Sequence, residues 1–155
     1  MSHPFRIIED PITGPEIRTL LADHLEDMHA VTPPESVHAL DIQGLQGRDI
    51  TFWSIWDEDT LLGCGALKDL GDGTGEIKSM RTAEAFRGRG VGACMLEHII
   101  KAARSRGYSA LYLETGSMEA FAPALALYTR FDFDECGPFG EYQGDPNSTF
   151  MWKQL

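Results

Sequence analysis

The chain is short of positive charge. It carries 13 lysines and arginines against 24 aspartates and glutamates, a formal net charge of −11 at pH 7 over 155 residues. A field of that sign repels polyanions, so neither nucleic acid nor an anionic membrane is expected as a partner. Long apolar runs are missing too, and nothing approaches the ~20 residues of a membrane span. Arg6, Glu9, Asp10 and Glu16 lie between prolines near the start, a distribution that a secretory signal does not have. Cysteine is scarce: Cys64, Cys94 and Cys136 are far apart and form no C-x-x-C pair. Free, mostly buried thiols in a reducing cytoplasm are the expectation. His24 and His29 do not have the three- or four-residue spacing that shares a helical face, so no metal site is expected. Linkers, repeats and low-complexity segments are absent as well, which predicts one domain over 1–155.

What remains is an alternation of strands and helices. Residues 5–10 alternate as a first strand. Thr13 and Glu16, with Pro15 between them, predict a capping box and a helix over 14–29. Its apolar stripe is Ile17, Leu20, Leu21, Leu25 and Met28. Pro33 and Pro34 stop it, and residues 35–40 suggest a short second helix. Residues 49–57 and 60–70 read as a hairpin, and 74–82 as a third antiparallel strand. A helix follows from Val91 to Arg106, burying Val91, Met95, Leu96, Ile99, Ile100 and Ala103. A strand over 110–116, a helix over 120–131 and a strand over 149–154 complete an α+β pattern.

Between the third strand and the long helix stands Arg87-Gly88-Arg89-Gly90-Val91-Gly92-Ala93. Glycines there leave backbone amides open to an anion, and the helix N-terminus adds partial positive charge. The two arginines add full charges in an acidic chain. A phosphate cradle follows. A Walker loop would end in Gly-Lys-[Ser/Thr], where this chain has Gly92-Ala93-Cys94. A dinucleotide fingerprint needs G-x-G-x-x-G in a first βα turn, and here the spacing is G-x-G-x-G with half the chain ahead of it.

That loop resembles the Arg/Gln-x-x-Gly-x-Gly/Ala signature of the GCN5-related N-acetyltransferase (GNAT) superfamily. Residues 124–133, ALALYTRFDF, are similar to the family's Ala-x-x-Leu-Tyr-x-x-x-Gly-Phe segment. The element order matches over essentially the whole chain. More narrowly, GEIKSMRT, LETGSMEAFAPA and CGPFGEYQGDPNSTFM resemble a bacterial branch, the YsnE-like acetyltransferases. Two departures stand out. Asp132 occupies the position of the glycine in Gly-Phe, and Phe121 replaces an asparagine used against the pantetheine arm.

The resemblance implies a mixed α/β GNAT fold, with a central, mostly antiparallel, twisted sheet of about six or seven strands and about four flanking helices. It implies acetyl-CoA as co-substrate. Arg87, Gly88, Arg89, Gly90, Val91, Gly92 and Ala93 would hold the pyrophosphate, and Met80, Arg81, Thr82, Phe121 and Ala124 the pantetheine arm. A backbone N–H of the strand over 76–82 would polarise the thioester carbonyl, fixed before charge develops. Tyr128 matches the tyrosine that returns a proton to the CoA sulfur, a transfer suited to a phenol and a thiol of comparable pKa. Glu76 is the candidate base acting on the acceptor amine.

Three readings of Glu76 stay open. Strict alternation places Glu76, Lys78, Met80 and Thr82 on one face, and Ile77, Ser79 and Arg81 on the other. A lysine on the same face weakens a carboxylate as a base, so a Glu76–Lys78 ion pair competes with the catalytic reading. Solvent is the third choice. The acceptor side would be walled by 14–48 and 134–148, with His24, His29, His38, Arg48, Phe139 and Tyr142. Lys78 or Arg81 suits a carboxylate-bearing small molecule, whereas the acidic surface suits polyamines. The expected partner is a small-molecule amine, with a homodimer left open. A non-catalytic acyl-CoA sensor, another acyl donor and a hydroxyl acceptor are the alternatives.

Overall fold

The computed structural model describes residues 5–38 and 40–155. Seven strands form one sheet in the order β1-β2-β3-β4-β5-β7-β6. They are β1 (Arg6–Glu9), β2 (Ile50–Asp57), β3 (Thr60–Asp69), β4 (Thr74–Thr82), β5 (Ala110–Gly116), β6 (Asp134–Cys136) and β7 (Ser148–Gln154). Every neighbouring pair is antiparallel except β4 and β5, the strands joined through the long helix. The helices are α1 (Pro15–Val31), α2 (Ile42–Leu45), α3 (Val91–Ser105) and α4 (Ala122–Arg130).

Alternation along the strands builds two cores, one on each face. Trp53, Ile55, Leu67, Ile77, Leu111 and Leu113 pack with α3 and Tyr128 of α4. Phe52, Cys64 and Ala66 pack with Ile17, Leu20 and Leu21 of α1 and Leu45 of α2. The stripe expected on α3 is the buried set. On α1 only Ile17, Leu20 and Leu21 are buried; Leu25 and Met28 are half-buried, and Met28 lines a cavity.

Local details differ from expectation for physical reasons. Thr13 does not cap α1; Gly14 is the N-cap, with no side-chain bond. The entry turn is held instead by Asp10, whose Oδ1 accepts the Ile12 N–H at 2.7 Å, with Ile12 at φ 61°. The short helix expected over 35–40 is a single turn at Pro34–Ser36, residue 39 lying outside the described residues. β6 has no apolar alternation to announce it, and it forms as the partner of β7.

Two features of β4 position the site. It pairs with β5 only from Thr74 to Ile77, so its second half diverges from β5 and leaves a gap. Then Ser79, at φ 52°, makes a bulge against β3 between Cys64 and Ala66. The extra residue resets the alternation. Met80 joins Ile77 on the α3 side, while Arg81 turns to α1 and pairs with Asp27. Strict alternation over 76–82 therefore fails at Ser79. The Cys64 thiol donates to the Ser79 carbonyl at 3.2 Å, and burial pushes its pKa up to about 12, so it stays protonated.

Candidate active site

A cavity of about 570 Å³ is lined by the diverging half of β4 together with α1, the start of α3 and α4. It brings together Met80, Arg81, Thr82, Arg87, Gly88, Gly90, Val91, Gly92, Ala93, Phe121, Ala124 and Tyr128. Of the residues expected around the donor, only Arg89 does not line it. Its guanidinium lies 5.6 Å from the centroid of the Phe86 ring.

The glycines serve two purposes. Gly88 and Gly90 have φ of 80° and 81°, and Gly90 is the N-cap of α3. A Cβ on either would meet nothing within 4 Å, so backbone conformation and open space set these positions. Gly90 accepts the Cys94 N–H at 3.0 Å, which leaves the amides of Val91, Gly92 and Ala93 without intrahelical partners. Those amides, the helix dipole and Arg87 fit a diphosphate. Gly92 instead permits close packing, since a Cβ there would lie 3.2 Å from Leu127 of α4.

Tyr128 is 6% exposed and packs edge-on to Phe133, with ring centroids 5.7 Å apart. Burial raises its pKa well above the ordinary phenol value, so the phenol lining the cavity stays protonated. The turn behind it survives its unusual residue: Asp132 adopts φ 68°, and the Phe133 N–H donates to the Tyr128 carbonyl at 3.1 Å. Phe121 packs on β5 so tightly that a Cβ on Gly116 would come within 2.2 Å of its ring.

Glu76 is elsewhere. It lines a second cavity of about 940 Å³ with Glu35, His38, Asp49, Asp69, Asp72, Tyr112 and the 139–145 loop. Only 3% exposed, its Oε2 accepts Lys78 Nζ at 3.1 Å and the Tyr142 hydroxyl at 2.6 Å. Lys78 also donates to the Tyr142 oxygen at 2.9 Å. Burial, with the charge and hydrogen bond of Glu76, holds the Tyr142 phenol far above its usual range. The Glu76–Lys78 ion pair is thus formed, and the structure does not bring Glu76 into the cavity of Tyr128. His38, Phe139 and Tyr142 line the second cavity, whereas His24 lines the first. His29 and Arg48 line neither.

Sequence reasoning passed over Asp27 and Arg130, which line the first cavity. Helical spacing held the signal. Asp27 follows His24 by three residues and precedes Val31 by four on α1. Arg130 follows Leu127 by three on α4. Among the described residues, no group of three or more His, Cys, Asp or Glu is placed to hold a metal. Among the same residues no helix is long and apolar enough to cross a membrane.

Known proteins carry the same pattern. The acetyltransferase (GNAT) family matches residues 16–133. The uncharacterized N-acetyltransferase YsnE of Bacillus subtilis is 51% identical over 146 residues, 94% of this chain and 97% of that protein. The IAA acetyltransferase of Azospirillum brasilense is 40% identical over 150 residues, 95% of each chain. A Bacillus subtilis acetyltransferase solved in complex with CoA superposes with a TM-score of 0.70 at 17% identity, covering 97% of this chain and 99% of that one.

Proposed function

From the premise that the chain belongs to the acetyltransferase (GNAT) family and is an acetyl-CoA-dependent acyltransferase, we propose that it acetylates the primary amine of a small molecule. The observation that carries this reading is one cavity shared by the open amides of α3 and the buried phenol of Tyr128. Acetyl-CoA supplies the thioester, and the amine displaces CoA directly: a C–N bond forms as the C–S bond breaks.

The chain's own residues divide the remaining work. The α3 amides, Arg87 and Arg130 bind the phosphates of the donor. The diverging half of β4, through Met80, Arg81 and Thr82, offers backbone groups to the pantetheine arm and to the carbonyl. Phe121 and Ala124 close the cleft from the α4 side. Tyr128 gives its proton to the departing sulfur and recovers one from water. Glu76 acts as an anchor for Lys78 and Tyr142, and the amine loses its proton to water in the cleft. The same reading has one domain across 1–155 act in the cytoplasm, alone or as a homodimer.

Release of free CoA with a panel of amines tests this. Wild type turns over at least one amine, and Tyr128→Phe lowers kcat by roughly a hundredfold or more with acetyl-CoA KM little changed. Acetyl-CoA binding without turnover of any amine would favour a sensor domain instead.

A further inference from the structure

The acceptor's chemistry is written in the charges of the first cavity. Its charged lining is three arginines, Arg81, Arg87 and Arg130, and a single carboxylate, Asp27. The acidic excess of the chain is elsewhere, with Glu35, Asp49, Asp69, Asp72, Glu76, Glu141 and Asp145 around the second cavity. With Arg87 and Arg130 given to the donor's phosphates, Arg81 and Asp27 are the charges left for the acceptor.

Arg87 is at the phosphate loop and Arg130 ends α4, while Arg81 stands apart on the α1 side. The Ser79 bulge puts it there, on the same face of β4 as Lys78, whose charge Glu76 already answers at 3.1 Å. Arg81 is only 13% exposed at its side chain, and its ion pair is with Asp27 at 2.6 Å, a carboxylate 58% exposed on α1. The pairing is lopsided: a nearly buried guanidinium is neutralised by an acid that can turn into water at little cost. It is also incomplete. Asp27 meets one terminal nitrogen, Nη2, while Arg81 Nε is buried with no hydrogen-bond partner. A guanidinium fork is built to take a carboxylate through two nitrogens. Beside it His24 Nδ1 is buried and unpartnered as well. Burial, then the charge of Arg81, lowers the His24 pKa to about 4, so the ring adds a neutral polar group and no competing charge.

We propose that the acceptor carries a carboxylate beside its amine, and that Arg81 binds this carboxylate in exchange for Asp27. Arg81 is then the specificity-determining residue, and Asp27 a placeholder that keeps the guanidinium paired while the site is empty. The apolar surface of Met28, Val31 and Cys64 receives the rest of the acceptor. The proposal rests on the reading of the chain as an amine acetyltransferase.

The test is steady-state CoA release by the full chain with the common L-amino acids, each beside its carboxamide and its decarboxylated amine. The carboxylated member of at least one set is preferred by about tenfold or more in kcat/KM, the worth of a charge-assisted pair. Arg81→Gln abolishes that preference by raising KM for the carboxylated acceptor alone, and Arg81→Lys restores part of it. Asp27→Asn removes the competitor and lowers KM for the carboxylated acceptor. It serves as the independent readout if the Arg81 variants fail to fold. Turnover with amides or plain amines equal or preferred overturns this proposal and leaves the amine acetyltransferase standing. A raised KM in Asp27→Asn overturns it too, because Asp27 would then hold the amine. No acetylation of any amine, with acetyl-CoA bound, overturns the parent reading and this one together.

Discussion

Two cavities lie along the same strand, and they are built in opposite ways. At the C-terminal half of β4 the wall is backbone and arginine: open amides at α3, a bulge at Ser79, a gap toward β5, and Arg81, Arg87 and Arg130. At the N-terminal half the wall is carboxylate and aromatic side chains, closed on themselves by hydrogen bonds. Tyr142 bonds to Glu76, Ser36 donates to Asp145 Oδ2 at 2.5 Å, and Phe139 packs on Tyr112 with centroids 4.9 Å apart. The first region leaves buried nitrogens of Arg81 and His24 unpaired, whereas the second pairs its buried Glu76, Lys78 and Tyr142. Unsatisfied polar groups mark a place that waits for a ligand, whereas satisfied ones mark a place that holds the chain together.

The largest effect on donor binding that would sharpen this contrast is in the loop. Gly90→Val puts a β-branched side chain at φ 81°, beside the open amides at the start of α3. Acetyl-CoA KM is expected to rise by about tenfold or more, read by steady-state kinetics, with the unfolding midpoint moving by only a few degrees. Unchanged KM would break the assignment of the first cavity to the donor.

The middle effect is in the second region. Glu76→Gln leaves Lys78 without its counter-charge in a nearly buried setting. Urea unfolding should show a loss of about 2–4 kcal/mol, with acetyl-CoA KM within about twofold of wild type. If instead stability holds and kcat falls a hundredfold, with the rise of the pH–rate profile lost, Glu76 is the base and the two regions form one site.

The smallest effect concerns the turn that presents Tyr128. Asp132→Gly relieves a left-handed residue at φ 68° but adds unfolded-state entropy. Thermal unfolding should show stability equal or slightly greater, by up to about 1 kcal/mol, and kcat unchanged. A large loss would mean that the aspartate side chain, beyond its backbone, is needed there.

Much of the fold is legible in the sequence. Helix α3 could be read residue by residue because a single amphipathic period decides which side chains are buried. The left-handed, open backbone at Gly88 and Gly90 is legible as glycine set between arginines, whereas Gly92 packs against Leu127. The face that Arg81 occupies was not legible. It depends on a bulge at Ser79, a residue with no local preference for φ 52°, set by how β4 registers on β3. The separation of Glu76 from Tyr128 was hidden for the same reason, since it depends on where β4 leaves β5. Helix α1 differs in a third way: Ile17, Leu20 and Leu21 of its apolar stripe are buried, but Met28 at its end lines a cavity. Periodicity tells which side faces inward and not whether anything fills the space.

Amide hydrogen exchange with and without acetyl-CoA tests the division between the two cavities most directly. The account predicts protection on binding in 80–82 and 87–93, with no change in the 139–145 loop. Protection confined to that loop, with the glycine segment exchanging as before, would contradict it.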